Sequence, residues 1–110
     1  MYYISKRFEI SASHALSLKQ GTACCRPHGH NWIITVFCKA ATLNEDGMVA
    51  DFTAVKRLIH DQLDHQVLNE ILPCNPTAEN IARWIADQIP TCYKVEVKET
   101  ESNTAVYEKD

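Results

Sequence analysis

The spacing of apolar positions divides the chain into two β segments, two helical segments and two further β segments. In the first, Ile4, Phe8, Ile10 and Ala12 share one parity, which predicts a strand over about 3–13 with one face in a core. The second, 28–40, carries Trp32, Ile34 and Val36 on one face and Ile33 and Phe37 on the other. A strand that is apolar on both faces is covered on both. Asp46-Gly47 is a turn signal, and Met48-Val49-Ala50 a short third strand or extended arm. Asp51 is an N-cap for a helix in which Phe52, Val55, Leu58, Ile59 and Leu63 follow helical spacing and which ends near Gln62. Residues 67–72 lead to Pro73 and Pro76, which break regular structure. Thr77 caps a second helix with Ala78, Ile81, Ala82, Ile85 and Ile89 as its buried stripe, Trp84 at the stripe's edge and Pro90 closing it. Residues 93–100 alternate, with Val95 and Val97 opposite Lys94, Glu96 and Lys98, and 103–108 supply the last strand.

This order predicts an α+β layer, a four-stranded antiparallel sheet with two helices on one face. The helices cover only that face, so the other face of strand two is expected to lie against another copy of the chain. The length of 110 residues fits one domain, 1–110, with enough chain for a core without disulfides. Hydrophobic residues at 45% and charged residues at 23% are a normal globular balance. A net charge of -3 without a basic cluster argues against a nucleic-acid partner. No signal peptide and no membrane-spanning run stand out. Five cysteines without regular spacing suit a reducing, cytoplasmic setting rather than a disulfide framework.

The chemistry concentrates where strand two begins, in Cys24-Cys25-Arg26-Pro27-His28-Gly29-His30-Asn31. His28 and His30 lie two apart on a strand, so both rings project from one face while Gly29 leaves the opposite face bare. Continuing the parity of strand one puts His14 on its core face, and pairing of the two strands brings it to His28 and His30. Three neutral histidines and no evident fourth protein ligand describe a catalytic zinc site with an open position. Ordinary core or surface histidines are the plainer reading, above all for His14 taken alone. The set also suits an iron oxygenase, although those sites usually include a carboxylate. A closed structural zinc site, with Cys24 or Cys25 as fourth ligand, would instead make the chain a zinc-stabilised interaction domain. Glu99 shares the parity of the strand's valines, and a carboxylate there needs a donor pair or a ligand unless the strand end frays.

These residues together resemble the 6-pyruvoyltetrahydropterin synthase family, and within it the bacterial 6-carboxy-5,6,7,8-tetrahydropterin synthases of queuosine biosynthesis. The resemblance rests on Phe8-Glu9-Ile10-Ser11-Ala12-Ser13-His14, the cysteine–histidine run above, Met48-Val49-Ala50-Asp51-Phe52, Leu63-Asp64-His65 with Leu68-Asn69, Asn75-Pro76-Thr77-Ala78-Glu79, and Lys98-Glu99-Thr100. It implies the tunnelling fold (T-fold), in which three subunits close a barrel that stacks on a second trimer. It implies zinc on His14, His28 and His30. The catalytic cysteine of the carboxy branch falls four residues before His28, on Cys24. Asp64 and His65 match the family's proton-transferring pair, Glu99 its pterin anchor, and Thr77 joins Glu99 in binding substrate. The chain departs from the pattern in Cys25, where a single cysteine is usual, and in Pro27, where an apolar residue such as leucine is common. The implied reaction converts 7,8-dihydroneopterin triphosphate to 6-carboxytetrahydropterin, acetaldehyde and triphosphate. A pyruvoyl-forming synthase or an aldolase-like pterin enzyme is the alternative within the family. Without the resemblance, Asp64 reads equally well as a helix-end cap with His65 as its solvated neighbour.

Overall fold

The two long strands pair antiparallel along their whole length. In the computed structural model, which describes residues 1–19, 21 and 23–110, β1 (Tyr2–His14) runs against β2 (His28–Ala40) from Tyr2↔Ala40 to His14↔His28. β3 (Cys92–Thr100) adds to the other side of β2, and β4 (Asn103–Glu108) to β3. The sheet order is therefore β1-β2-β3-β4. The expected strand limits agree with the observed ones to within a residue at each end.

Parity decides the buried face. Phe8, Ile10 and Ala12 of β1, Trp32, Ile34 and Val36 of β2, and Val95 and Val97 of β3 turn one way and are buried. Helices inserted between β2 and β3 cover them. α1 (Phe52–Leu58) starts at Asp51, whose carboxylate accepts from Thr53 N at 2.9 Å. α4 (Ala78–Asp87) starts at Thr77, whose hydroxyl accepts from Asn80 N at 3.1 Å. Its stripe of Ile81, Ala82, Ile85 and Ala86 is fully buried, and Ile89 nearly so. The fold is thus the α+β layer that the apolar pattern predicts.

The segment after Asp51 is not one smooth helix. Ile59 departs from helical geometry (φ -114°, ψ -68°) and separates α1 from α2 (His60–Leu63). The hydrogen-bond ladder still crosses the break, from Ile59 N to Val55 O and from Leu63 N to Ile59 O, both 3.1 Å. It is a kink, and it lets Ile59 and Leu63 both reach the core, where each is fully buried. Two other expectations change. Residues 67–72 contain a short helix, α3 (Leu68–Ile71), anchored by the fully buried Leu68. Met48-Val49-Ala50 forms no strand. Asn44 takes the N–H groups of Asp46 and Met48 (2.9 and 3.0 Å), Gly47 adopts φ +79°, and Val49 tucks into the core. A glycine is required there, because the left-handed region is costly for a residue with a Cβ.

The second face of the sheet is half-exposed in this chain. Ile33 lies among Arg7, Thr35, Glu96 and Lys98, and the Lys94 ammonium sits 4.9 Å above the Phe37 ring. One edge is partly closed: residues 65–67 run beside β1, with His65 N donating to Ser11 O at 2.7 Å and Ser13 N to Gln66 O at 3.1 Å. Among the described residues no helix is long and apolar enough to cross a membrane.

Removing the Asp51 cap leaves a helix-start N–H without its acceptor. Asp51→Ala should lower unfolding stability by about 1 kcal/mol, read as a shift of the urea midpoint at unchanged slope.

Candidate metal centre and adjoining cavity

The β1–β2 register sets His14 directly across from His28, and His30 follows two residues on along the same face. The ring centroids stand 4.5 Å (His14–His28), 4.9 Å (His28–His30) and 5.2 Å (His14–His30) apart. Two rings are held by backbone carbonyls: His14 Nδ1 lies 2.7 Å from Pro76 O, and His28 Nδ1 lies 2.8 Å from Arg26 O. A carbonyl only accepts, so both Nδ1 atoms carry the proton and both Nε2 lone pairs are left free. One nitrogen from each ring lies within 4.8 Å of the others. His14 Nε2 and His30 Nε2 are buried without a hydrogen-bond partner, a costly arrangement that a cation between them relieves. The residues present therefore fit a metal ion.

Trp32 is the floor of the cluster. Its ring meets His14 and His30 edge-on at 4.9 and 5.0 Å, and its indole N–H donates to Ala12 O at 3.1 Å. Burial holds the His14 pKa below its ordinary value of 6.5, partly offset by the bond to Pro76, and the neighbouring imidazoles press the same way as burial. A neutral ring is the form that ligates metal.

Glu99, near the end of β3, turns inward as its parity requires. Its carboxylate stands 3.8 Å from His14 Nε2 and 3.9 Å from His30 Nε2, and its side chain is 22% exposed. Those separations exceed a hydrogen bond and leave its oxygens available. Glu99 also lines a cavity of about 540 Å³ with Leu16, Thr77, Glu79 and Asn103, a volume that suits a small ligand. Thr77, whose hydroxyl is engaged as helix cap, is among the residues lining that cavity.

The other expected site residues lie at the margins. Cys24 is exposed in a short 3-10 turn (Ala23–Cys25), its carbonyl accepting from Leu16 N at 2.9 Å, while Cys25 is half-buried. Asp64 closes α2, and one carboxylate oxygen accepts from Ser11 N at 2.9 Å. That bond, with the His65 and His60 rings adding to it, holds the Asp64 pKa below the usual carboxylate range. Its other oxygen stands 3.5 Å from His65 Nε2. His65 adopts φ +59° and is 81% exposed; the left-handed backbone costs about 1 kcal/mol. His65 and His30 border one cleft of about 420 Å³ with Ser11, Ser13, Gly29 and Gln66. Among the described residues no hydrogen bond or ion pair joins Asp64 or His65 to the three histidines or Glu99. A Cβ on Gly29 would meet only Ala12 O at 3.9 Å, so nothing inside the chain demands a glycine there. The Pro76 and Arg26 carbonyls escaped the sequence because backbone acceptors leave no side-chain signal. Trp32 did carry one, lying two residues beyond His30 on the same face.

The family model for 6-pyruvoyl tetrahydropterin synthase matches residues 3–110. The chain belongs to that family. A Bacillus subtilis 6-carboxy-5,6,7,8-tetrahydropterin synthase is 29% identical over 123 aligned residues, covering 96% of this chain and 84% of the relative. A Dictyostelium discoideum 6-pyruvoyl tetrahydrobiopterin synthase is 32% identical, covering 94% and 93%. Among solved structures, Caenorhabditis elegans 6-pyruvoyl tetrahydropterin synthase superposes with a TM-score of 0.77 at 22% identity, covering 99% of this chain and 96% of that one. The sheet and helices described above are thus the tunnelling fold of the synthase family.

The lowered His14 pKa fixes a pH dependence. Above 6.5 the ring is neutral in folded and unfolded chains alike. As pH falls below that value the unfolded chain takes up its proton first, so stability declines until the folded ring protonates as well. Metal-free protein should therefore melt at progressively lower temperature below pH 6.5, and His14→Phe should make the decline shallower.

Proposed function

We propose that this chain is a zinc-dependent 6-carboxy-5,6,7,8-tetrahydropterin synthase, a carbon–carbon lyase that takes 7,8-dihydroneopterin triphosphate to 6-carboxytetrahydropterin, acetaldehyde and triphosphate in queuosine biosynthesis. The observation that carries the reading is Glu99, which borders both the histidine cluster and the 540 Å³ cavity. A pterin's ring N–H and amino group form a two-donor edge, and a partly buried carboxylate accepts such an edge in bidentate fashion. With the ring on Glu99, the side chain of the substrate extends toward His14, His28 and His30. Three neutral nitrogens suit zinc, which would supply Lewis acidity and a template for the side-chain hydroxyls.

The remaining roles fall to this chain's own groups. Cys24, as thiolate, removes a proton from the substrate side chain beside the ring. Asp64 orients the His65 imidazole for proton exchange. His65 is 81% exposed and borders the open cleft that His30 also lines. We assign it to a site shared between copies, in a barrel of three subunits stacked on a second trimer. The half-exposed Ile33 and Phe37 and the unforced glycine at 29 support a face that meets another subunit.

Product analysis tests the reaction. Incubation with dihydroneopterin triphosphate should yield the carboxypterin and acetaldehyde by mass spectrometry; a pyruvoyl product would move the chain to the other branch of the family. Cys24→Ala should abolish turnover while zinc and pterin still bind, and Cys25→Ala should keep most activity. A dead Cys25→Ala with an active Cys24→Ala would reassign the base.

Glu99→Gln turns one acceptor into a donor facing the pterin's own donors. Pterin binding should weaken by about 2–4 kcal/mol in a calorimetric titration, and an unchanged affinity would remove Glu99 from the ligand site.

A further inference from the structure

Two asparagines outside the histidine cluster each grip one backbone residue at both of its polar groups. Asn69 accepts from Ala15 N at 2.9 Å and donates to Ala15 O at 2.8 Å. Asn75 accepts from Ser17 N at 2.8 Å and donates to Ser17 O at 3.0 Å. A side-chain amide used in this way imitates a neighbouring strand. The gripped residues follow His14 directly, so the clasp continues the order of β1 past its end. Leu16, between them, turns its N–H the other way to the Cys24 carbonyl, and its side chain lines the cavity beside Glu99.

Asn75 acts on His14 from a second side. It begins the turn that carries Pro76, and its own carbonyl accepts from Thr77 N at 2.8 Å and from Asn80 Nδ2 at 2.9 Å. The Pro76 carbonyl fixed by that turn is the acceptor for the His14 ring. One residue therefore ties together the two, its side chain holding Ser17 after His14 and its main chain shaping the turn whose Pro76 carbonyl orients the imidazole. We infer that Asn69 and Asn75 are positioning residues for the metal centre, with Asn75 governing the direction of the His14 lone pair. This rests on reading His14, His28 and His30 as the metal site.

The test uses full-length protein stripped of metal, then titrated with zinc against a chelator and separately loaded with Co²⁺ for its absorption spectrum. Asn75→Ala removes the clasp. Asn75→Asp keeps the acceptor for Ser17 N but sets a carboxylate oxygen against Ser17 O. Both should lose about tenfold or more in zinc affinity, the range of an outer partner of a ligating histidine, and both should alter the Co²⁺ bands. Their metal-free circular dichroism should stay that of the wild type. If the Asn75 variants do not fold, Asn69→Ala, which leaves the Pro76 turn intact, should show a smaller loss of affinity and a spectral change in the same sense. Folded variants that bind zinc like the wild type, with an unchanged Co²⁺ spectrum, would overturn the inference alone. A wild-type protein that takes up neither metal would overturn the metal site and the inference with it.

Discussion

Everything at the site depends on the register of β1 against β2. His14 faces His28, and Ala12 faces His30, so the three imidazoles meet only in this alignment. A slip of one residue would turn His14 to the opposite face of the sheet. The link between the strands, residues 15–27, is too long to set register as a tight hairpin turn does. The apolar parity sets it instead: Phe8 opposite Ile34 and Ile10 opposite Trp32 bury together. The same burial that stabilises the core therefore aligns the histidines above it, and Trp32 belongs to both.

Burial then decides the chemistry of the cluster. His14 is fully buried and held neutral, with its Nδ1–H committed to a carbonyl and its Nε2 free. Glu99 brings a negative charge to the same spot from a third strand. An electron-rich pocket of this kind favours a cation without being built from charged ligands. Cys24 is exposed, and His65, beside Asp64, is exposed at the cleft that His30 borders.

Much of this was legible in the sequence, because it followed from period-two patterning. The strand limits, the inward turn of Glu99 and the convergence of His14 with His28 and His30 come from which residues share a face, and the caps at Asp51 and Thr77 from side-chain oxygens placed just before a helix. What escaped was made by tertiary packing or by backbone. The kink at Ile59 satisfies two core positions at once, and α3 forms because Leu68 has a core to enter. The carbonyls of Pro76 and Arg26 and the double grip of Asn69 and Asn75 depend on chain paths that no local spacing encodes. The exposed position of His65 arises likewise from the path of residues 64–67 along β1.

That path has a further effect on the sheet's edge. Ser11 gives its outward N–H to Asp64 and its carbonyl to His65, and Ser13 gives its N–H to Gln66. The outward backbone groups from Tyr3 to Glu9 have no such cover from residues 64–67. Part of this edge strand is thus already paired inside the chain, which works against edge-to-edge aggregation.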